Sequence, residues 1–200
     1  FNIIDGLNGL TISVAIICFL SFGIISYEND SKEFFYYSLI MVSVLLGVLI
    51  FNFPYGKIFL GDSGAYLIGL NLSIFSILFI NFNSQISSFV IVQILIYPSY
   101  ELLRSFIRRL FVNYKMVFAP DQKHLHTILF LFNKNNFTLN NYKINPLTSF
   151  QLILLNIINL IYLYFFYKNE FMTILGIIIF IIIYEIIYWL VSSPIRLLKE

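Results

Sequence analysis

Six apolar stretches, each close to the length that a helix needs to cross a bilayer, leave this 200-residue chain few architectures. They run from Leu10 to Tyr27, Phe34 to Phe53, Ala65 to Phe82, Ile86 to Leu103, Phe150 to Tyr167 and Phe171 to Val191. About 20 helical residues span the hydrocarbon, and a backbone in lipid must satisfy its own hydrogen bonds, so the spacing predicts helices. With 60% hydrophobic and 11% charged residues, the chain has too little polar surface to cover a globule in water. The expectation is an all-α, polytopic helical membrane protein with about six transmembrane helices. No repeat, linker or low-complexity tract divides residues 1–200, so one domain is expected.

The placement of Lys and Arg orients the spans. Ten of the twelve lie at Lys57, between Arg104 and Lys143, and at Arg196 and Lys199, while only Lys32 and Lys168 fall in the three short loops that alternate with those segments. Basic residues mark the cytoplasmic side. The first residues, the segment "FPYGKIFLGDSG", the loop of about 104–149 and the C-terminus are therefore expected in the cytoplasm. The chain starts with Phe, and no basic segment precedes its first apolar run, so it reads as the C-terminal part of a longer protein. Cys18, the single cysteine, lies in an apolar run and reads as a small core residue, which leaves no disulfide framework.

Three polar constellations interrupt the apolar pattern, all on the expected cytoplasmic side. In "FNIIDGLNGL", a helix would bring Asn2, Asp5 and Asn8 to one face, an oxygen-rich set suited to Mg²⁺; a polar cap before a packing glycine pair explains the same letters. In "LGDSGAYLIGL", Asp62 opens an apolar run, where a charge marks either a functional site or an N-cap. A helix N-terminus there would also favour phosphate oxygens. The basic loop carries Arg104, Arg108 and Arg109 on one helical face, which suits lipid headgroups at least as well as a substrate. Its "PDQKHLH" sets Lys123, His124 and His126 within reach of a phosphate or nucleotide. A zinc site would want more ligands than two histidines and Asp121. Glu185, inside the last span, reads as half of a structural pair.

Together, "NIIDGLNGL", "FLGDSG" and "PDQKHLHT", with "PSYELLRSFIRR" before the histidines, are similar in order and sidedness to motifs of the polyprenyl-phosphate N-acetylhexosamine-1-phosphate transferases, the WecA and MraY kind of enzyme in glycosyltransferase family 4. Asn8 stands where many members have Asp, Glu101 replaces an Asp, and Thr127 replaces a final histidine; the family's upstream Asp-Asp pair has no counterpart in this chain. The resemblance implies Mg²⁺, with Mn²⁺ able to replace it, held by Asn2 and Asp62. It implies catalytic roles for Asp5, Asp62 and His124, and substrate contacts from Asn8, Arg104, Lys123 and His126. The implied partners are a UDP-N-acetylhexosamine and undecaprenyl phosphate, in a bacterial inner membrane; a homodimer is compatible with this, and no nucleic acid is expected. The His-x-His pattern leans towards the WecA-like branch, which starts O-antigen, teichoic acid or capsule, rather than the MraY-like muramoyl-pentapeptide branch.

Two other classes fit parts of the sequence. Gly-x-Ser-Gly-Ala at Ser63 resembles the nucleophile of intramembrane serine proteases, but that chemistry needs a histidine on a neighbouring span, and none of the six stretches contains one. Hydropathy alone also allows a transporter or a lipid-binding membrane protein.

Overall fold

The computed structural model describes residues 1–112 and 123–197. Among the described residues, a 3₁₀ turn at Asn2–Ile4 precedes eight α-helices: α1 (Leu10–Glu28), α2 (Lys32–Asn52), α3 (Gly61–Phe82), α4 (Ser88–Ile94), α5 (Ile96–Val112), α6 (Leu125–Asn136), α7 (Asn141–Phe166) and α8 (Glu170–Leu197). No strand occurs among the described residues. Helices α1, α2, α3, α7 and α8 are long and apolar enough to cross a membrane, and α4 with α5 makes a sixth candidate if the bent pair is counted as one span.

Helix α1 is the central element, in contact with α2, α7, α3 and α4. Its serines do not disturb the core because they bond back to their own helix: Ser21 donates to the Ile17 carbonyl at 2.8 Å and Ser26 to Phe22 at 2.7 Å. Gly23 lets α2 approach, since a Cβ there would stand 3.2 Å from that of Ser38. Phe22 of α1 and Phe34 of α2 both meet Phe75 and Phe79 of α3 edge-on, with ring centres 5.0–5.5 Å apart.

The fourth span is where the sequence reading needs correction. A continuous helix was expected over Ile86–Leu103, but the chain turns by 79° between α4 and α5. Pro98 explains the break. It has no N–H to offer the carbonyl four residues back, and its ring crowds that same carbonyl. The released oxygen of Ile94 accepts the Cys18 thiol at 3.4 Å, and the neighbouring Gln93 carbonyl accepts the Asn159 amide at 3.0 Å. Broken backbone at membrane depth is tolerated when it is buried in protein and satisfied in this way.

Polar ties close each end of the bundle. At one end, Glu28 pairs with Lys168 at 3.3 Å and accepts from the Tyr167 hydroxyl at 2.7 Å, while Ser31 bonds Asn83. At the other, the Gly9 amide, in left-handed backbone at φ +77° where α1 begins, donates to the Asn52 side chain at 2.5 Å, and the Asn8 amide donates to Asn145 at 2.9 Å. Those ties bring residues 1–9, the end of α2 and the start of α7 together.

Candidate functional site

The site grows from this second end. Asn2 donates to the Tyr66 hydroxyl at 3.1 Å, and Tyr66 stands one turn beyond Asp62 on α3, so the first turn of the chain rests beside the helix that carries Asp62. Asp62 itself is exposed in the first turn of α3 and makes no side-chain capping bond. Asp5 is half-buried at the end of the 3₁₀ turn. Burial pushes its carboxyl above the usual range, the nearby Thr11 hydroxyl opposes that, and the negative charge of Asp62 adds to it. The two carboxylates are thus within electrostatic reach of each other.

Two expectations about this segment are corrected. Asn2, Asp5 and Asn8 do not share a helical face, because helix persists only over Asn2–Ile4 and residues 5–9 turn. Asn8, expected to contact substrate, instead bridges chain segments: its side-chain amide donates to the Pro54 carbonyl at 3.0 Å and presses on Gly56, where any Cβ would collide with it. A small cavity of about 90 Å³, lined by Asp5, Gly6, Leu7, Asn8, Asn52 and Phe59, lies beside it. A far larger apolar groove, about 810 Å³, opens near Glu28 and Tyr27, away from every residue of the site.

The histidines arrive from α6. His124 stands just before its first helical residue, and its Nδ1 lies 3.1 Å from Oε2 of Glu101, whose Oε1 accepts the Leu125 amide at 3.1 Å. His126 is buried against Gly6, its ring parallel to that of His124 with centres 5.6 Å apart. Burial pushes its pKa down to about 4, with Glu101 opposing and His124 reinforcing the shift, so the ring is neutral at pH 7. Lys123 is exposed, and its carbonyl accepts the Tyr188 hydroxyl at 3.3 Å. The Pro-Asp-Gln that precedes it lies outside the described residues.

Arg104, expected at the substrate, is turned into the bundle. Its guanidinium grips Glu185 at 2.5 and 3.2 Å and lies over the Tyr188 ring at 3.3 Å, while the Tyr100 hydroxyl completes the carboxylate at 2.9 Å. Glu185 is accordingly a structural partner. Sequence reasoning missed Glu101 as a site residue, although it sits inside the quoted "PSYELLRSFIRR"; a carboxylate in an otherwise apolar run was the available signal.

Among the described residues no three His, Cys, Asp or Glu side chains come together as a cage. Two neighbouring carboxylates with an asparagine nearby nonetheless suit Mg²⁺, which takes one or two carboxylates and completes its shell with water and substrate phosphates. Among the described residues no serine-protease arrangement is formed: Ser63 is exposed, and no hydrogen bond joins it to either histidine.

Comparison with known proteins agrees with this gathering of motifs. Residues 1–80 match the model of the family described as glycosyl transferase family 4. The chain is 33% identical over 132 residues to a probable undecaprenyl-phosphate N-acetylglucosaminyl 1-phosphate transferase of Bacillus subtilis, covering 66% of this chain and 37% of the relative. It is 34% identical over 128 residues to the undecaprenyl-phosphate alpha-N-acetylglucosaminyl 1-phosphate transferase of Thermotoga maritima, covering 64% and 38%. A phospho-N-acetylmuramoyl-pentapeptide-transferase of Staphylococcus epidermidis is 36% identical over 90 residues, covering 45% and 27%. The matched region spans well under half the length of these curated relatives. No solved structure matches the chain.

Proposed function

Because residues 1–80 match the glycosyl transferase family 4 model, we propose that the chain belongs to that family and serves a membrane enzyme which transfers N-acetylhexosamine-1-phosphate from a UDP-sugar to undecaprenyl phosphate and releases UMP. The observation that carries this reading is the convergence of three separated segments at one end of a helical bundle: Asn2 and Asp5, Asp62 on α3, and His124 and His126 at α6. We place that end at the cytoplasmic face of a bacterial inner membrane, on the strength of the Lys and Arg distribution. Its product would begin a cell-surface polysaccharide such as O-antigen, teichoic acid or capsule.

The chemistry asks little of a base. The lipid phosphate has a second pKa of about 6 and is largely dianionic at neutral pH, so it can attack the sugar-linked phosphorus directly. Catalysis is then mainly alignment and charge neutralisation. Asp5, its carboxyl raised by burial, orients the attacking phosphate. Asp62 and Asn2 would hold Mg²⁺, or Mn²⁺ in its place, and such an ion would supply charge neutralisation of the diphosphate. Lys123 and His124 reach the nucleotide diphosphate, and His126, neutral and buried, supports the first turn rather than contributing charge.

The test is release of UMP from UDP-GlcNAc, UDP-GalNAc and UDP-N-acetylmuramoyl-pentapeptide, using the full native polypeptide in detergent with undecaprenyl phosphate. Turnover of an N-acetylhexosamine nucleotide is expected. Turnover of the muramoyl nucleotide alone would move the chain to the other branch, and proteolysis without transfer would sink both.

A further inference from the structure

We propose that Glu101 is a positioning residue: it fixes His124 with Nδ1 bound inward as a donor, leaving Nε2 as the ring nitrogen offered to a ligand. Glu101 is 1% exposed, at a depth where a carboxylate persists only if its oxygens are met. Both are met by consecutive residues. Oε1 takes the amide of Leu125, the first helical residue of α6, which has no partner within its own helix; Oε2 faces His124 Nδ1.

Neighbouring contacts hold the arrangement from several sides. Leu125 is fully buried, the Lys123 carbonyl is held by Tyr188, and the ring of His126 lies parallel to that of His124, within 2°. Three successive residues are thus pinned, and the helix N-terminus adds a favourable field for the acid beneath it. A carboxylate offers only acceptors, so the proton on this side belongs to Nδ1 in either charge state of the ring. A neutral ring then presents a lone pair at Nε2, and an imidazolium presents an N–H.

The orientation stands on geometry alone; its consequence for turnover rests on the transferase reading, in which His124 meets the nucleotide. Glu101→Gln separates the two. Glutamine keeps the shape but has a single acceptor, which the Leu125 amide must take. The amide nitrogen then faces Nδ1, and the ring proton must move to Nε2.

With ¹⁵N-histidine in the full native polypeptide, His124→Gln and His126→Gln assign the two imidazoles of this segment. Wild type is expected to show His124 as the Nδ1–H tautomer and Glu101→Gln as the Nε2–H tautomer. Transfer by the full native polypeptide is expected to fall by about 10- to 100-fold in kcat/KM, as for other residues that orient a histidine. Glu101→Asp is expected to keep the Nδ1–H tautomer and regain part of the rate. Retention of the Nδ1–H tautomer by Glu101→Gln would overturn the positioning. A changed tautomer with unchanged transfer would overturn its role in the reaction. A changed tautomer in a protein whose wild type transfers no sugar phosphate would uphold the positioning and overturn the transferase reading.

Discussion

Gly6, in the turn after the 3₁₀ segment, and His126, in the first turn of α6, occupy adjoining space so closely that any side chain at position 6 would overlap the imidazole. That contact joins the first motif of the chain to the last.

Gly6→Ala should therefore act as an overpacking substitution. It is expected to lower stability by about 1–3 kcal/mol, read as a drop in the denaturation midpoint in detergent. Adding His126→Ala should give back part of that loss, a non-additive result expected only of touching residues. Strict additivity would mean that the two do not meet.

Acid should weaken the same contact. The His126 pKa is pushed down from 6.5 to about 4 by burial, so between those values the unfolded chain binds a proton that the folded chain refuses. Stability from this group is complete above pH 6.5 and declines as pH falls towards 4, by about 3 kcal/mol at most. Asp5, raised by burial, works in the opposite direction at the acid end. Unfolding midpoints followed from neutral to acid pH should fall more steeply for wild type than for His126→Gln; parallel curves would refute the assignment.

Arg104 and Glu185 should behave as one unit. Removing either leaves the other with its charge unmatched inside the bundle, so each alanine variant is expected to lose about 1–3 kcal/mol, allowing for their partial exposure. The double variant should lose little more than one of them. A double-mutant cycle with no coupling would return Arg104 to the substrate.

Asp62→Asn and Ser63→Ala, neighbours on the exposed first turn of α3, distinguish the transferase from a serine hydrolase. In the full native polypeptide, the first is expected to lower transfer by about 100-fold or more, as removal of an electrostatic stabiliser does. The second should retain most of it. Covalent labelling of Ser63 by a serine-directed inhibitor, with Asp62→Asn harmless, would reverse the assignment.

Membrane sidedness is open to a direct measurement. Reporters inserted after Asp30 and Asn83 are expected outside the cytoplasm, and one after Asn136 inside it, as the basic residues require. A reporter at Asn83 that reads cytoplasmic would separate Asp62 from the side on which the nucleotide sugar is found.

The helical architecture was legible because lipid imposes one rule on every span, and hydropathy reads that rule residue by residue. Five spans lie where the apolar stretches placed them, with longer ends at Gly61 and Asn141, since polar residues continue a helix beyond the hydrocarbon. The fourth is present as a bent pair rather than one straight helix, because hydropathy does not register a missing N–H, although Pro98 was visible. At the site, the motif residues could be named but their partnerships could not. Asn8 and Arg104 carry the right groups for a substrate, yet bond to Pro54 and Glu185, which lie 46 and 81 positions away. Glu101 stood at a motif position, but its role was hidden for the same reason, since its partners His124 and Leu125 come from the start of another helix.

The bend at Leu95 also shapes what surrounds the protein. Helix α4 has seven residues, a rise of about 10 Å, which is roughly a third of the hydrocarbon thickness. Helix α5 then leaves at 79°, with Leu102, Phe106, Ile107, Leu110 and Phe111 exposed along it. Apolar surface therefore projects sideways from the bundle at the bend as well as along the long helices, and any cover for it must come from beside the bundle.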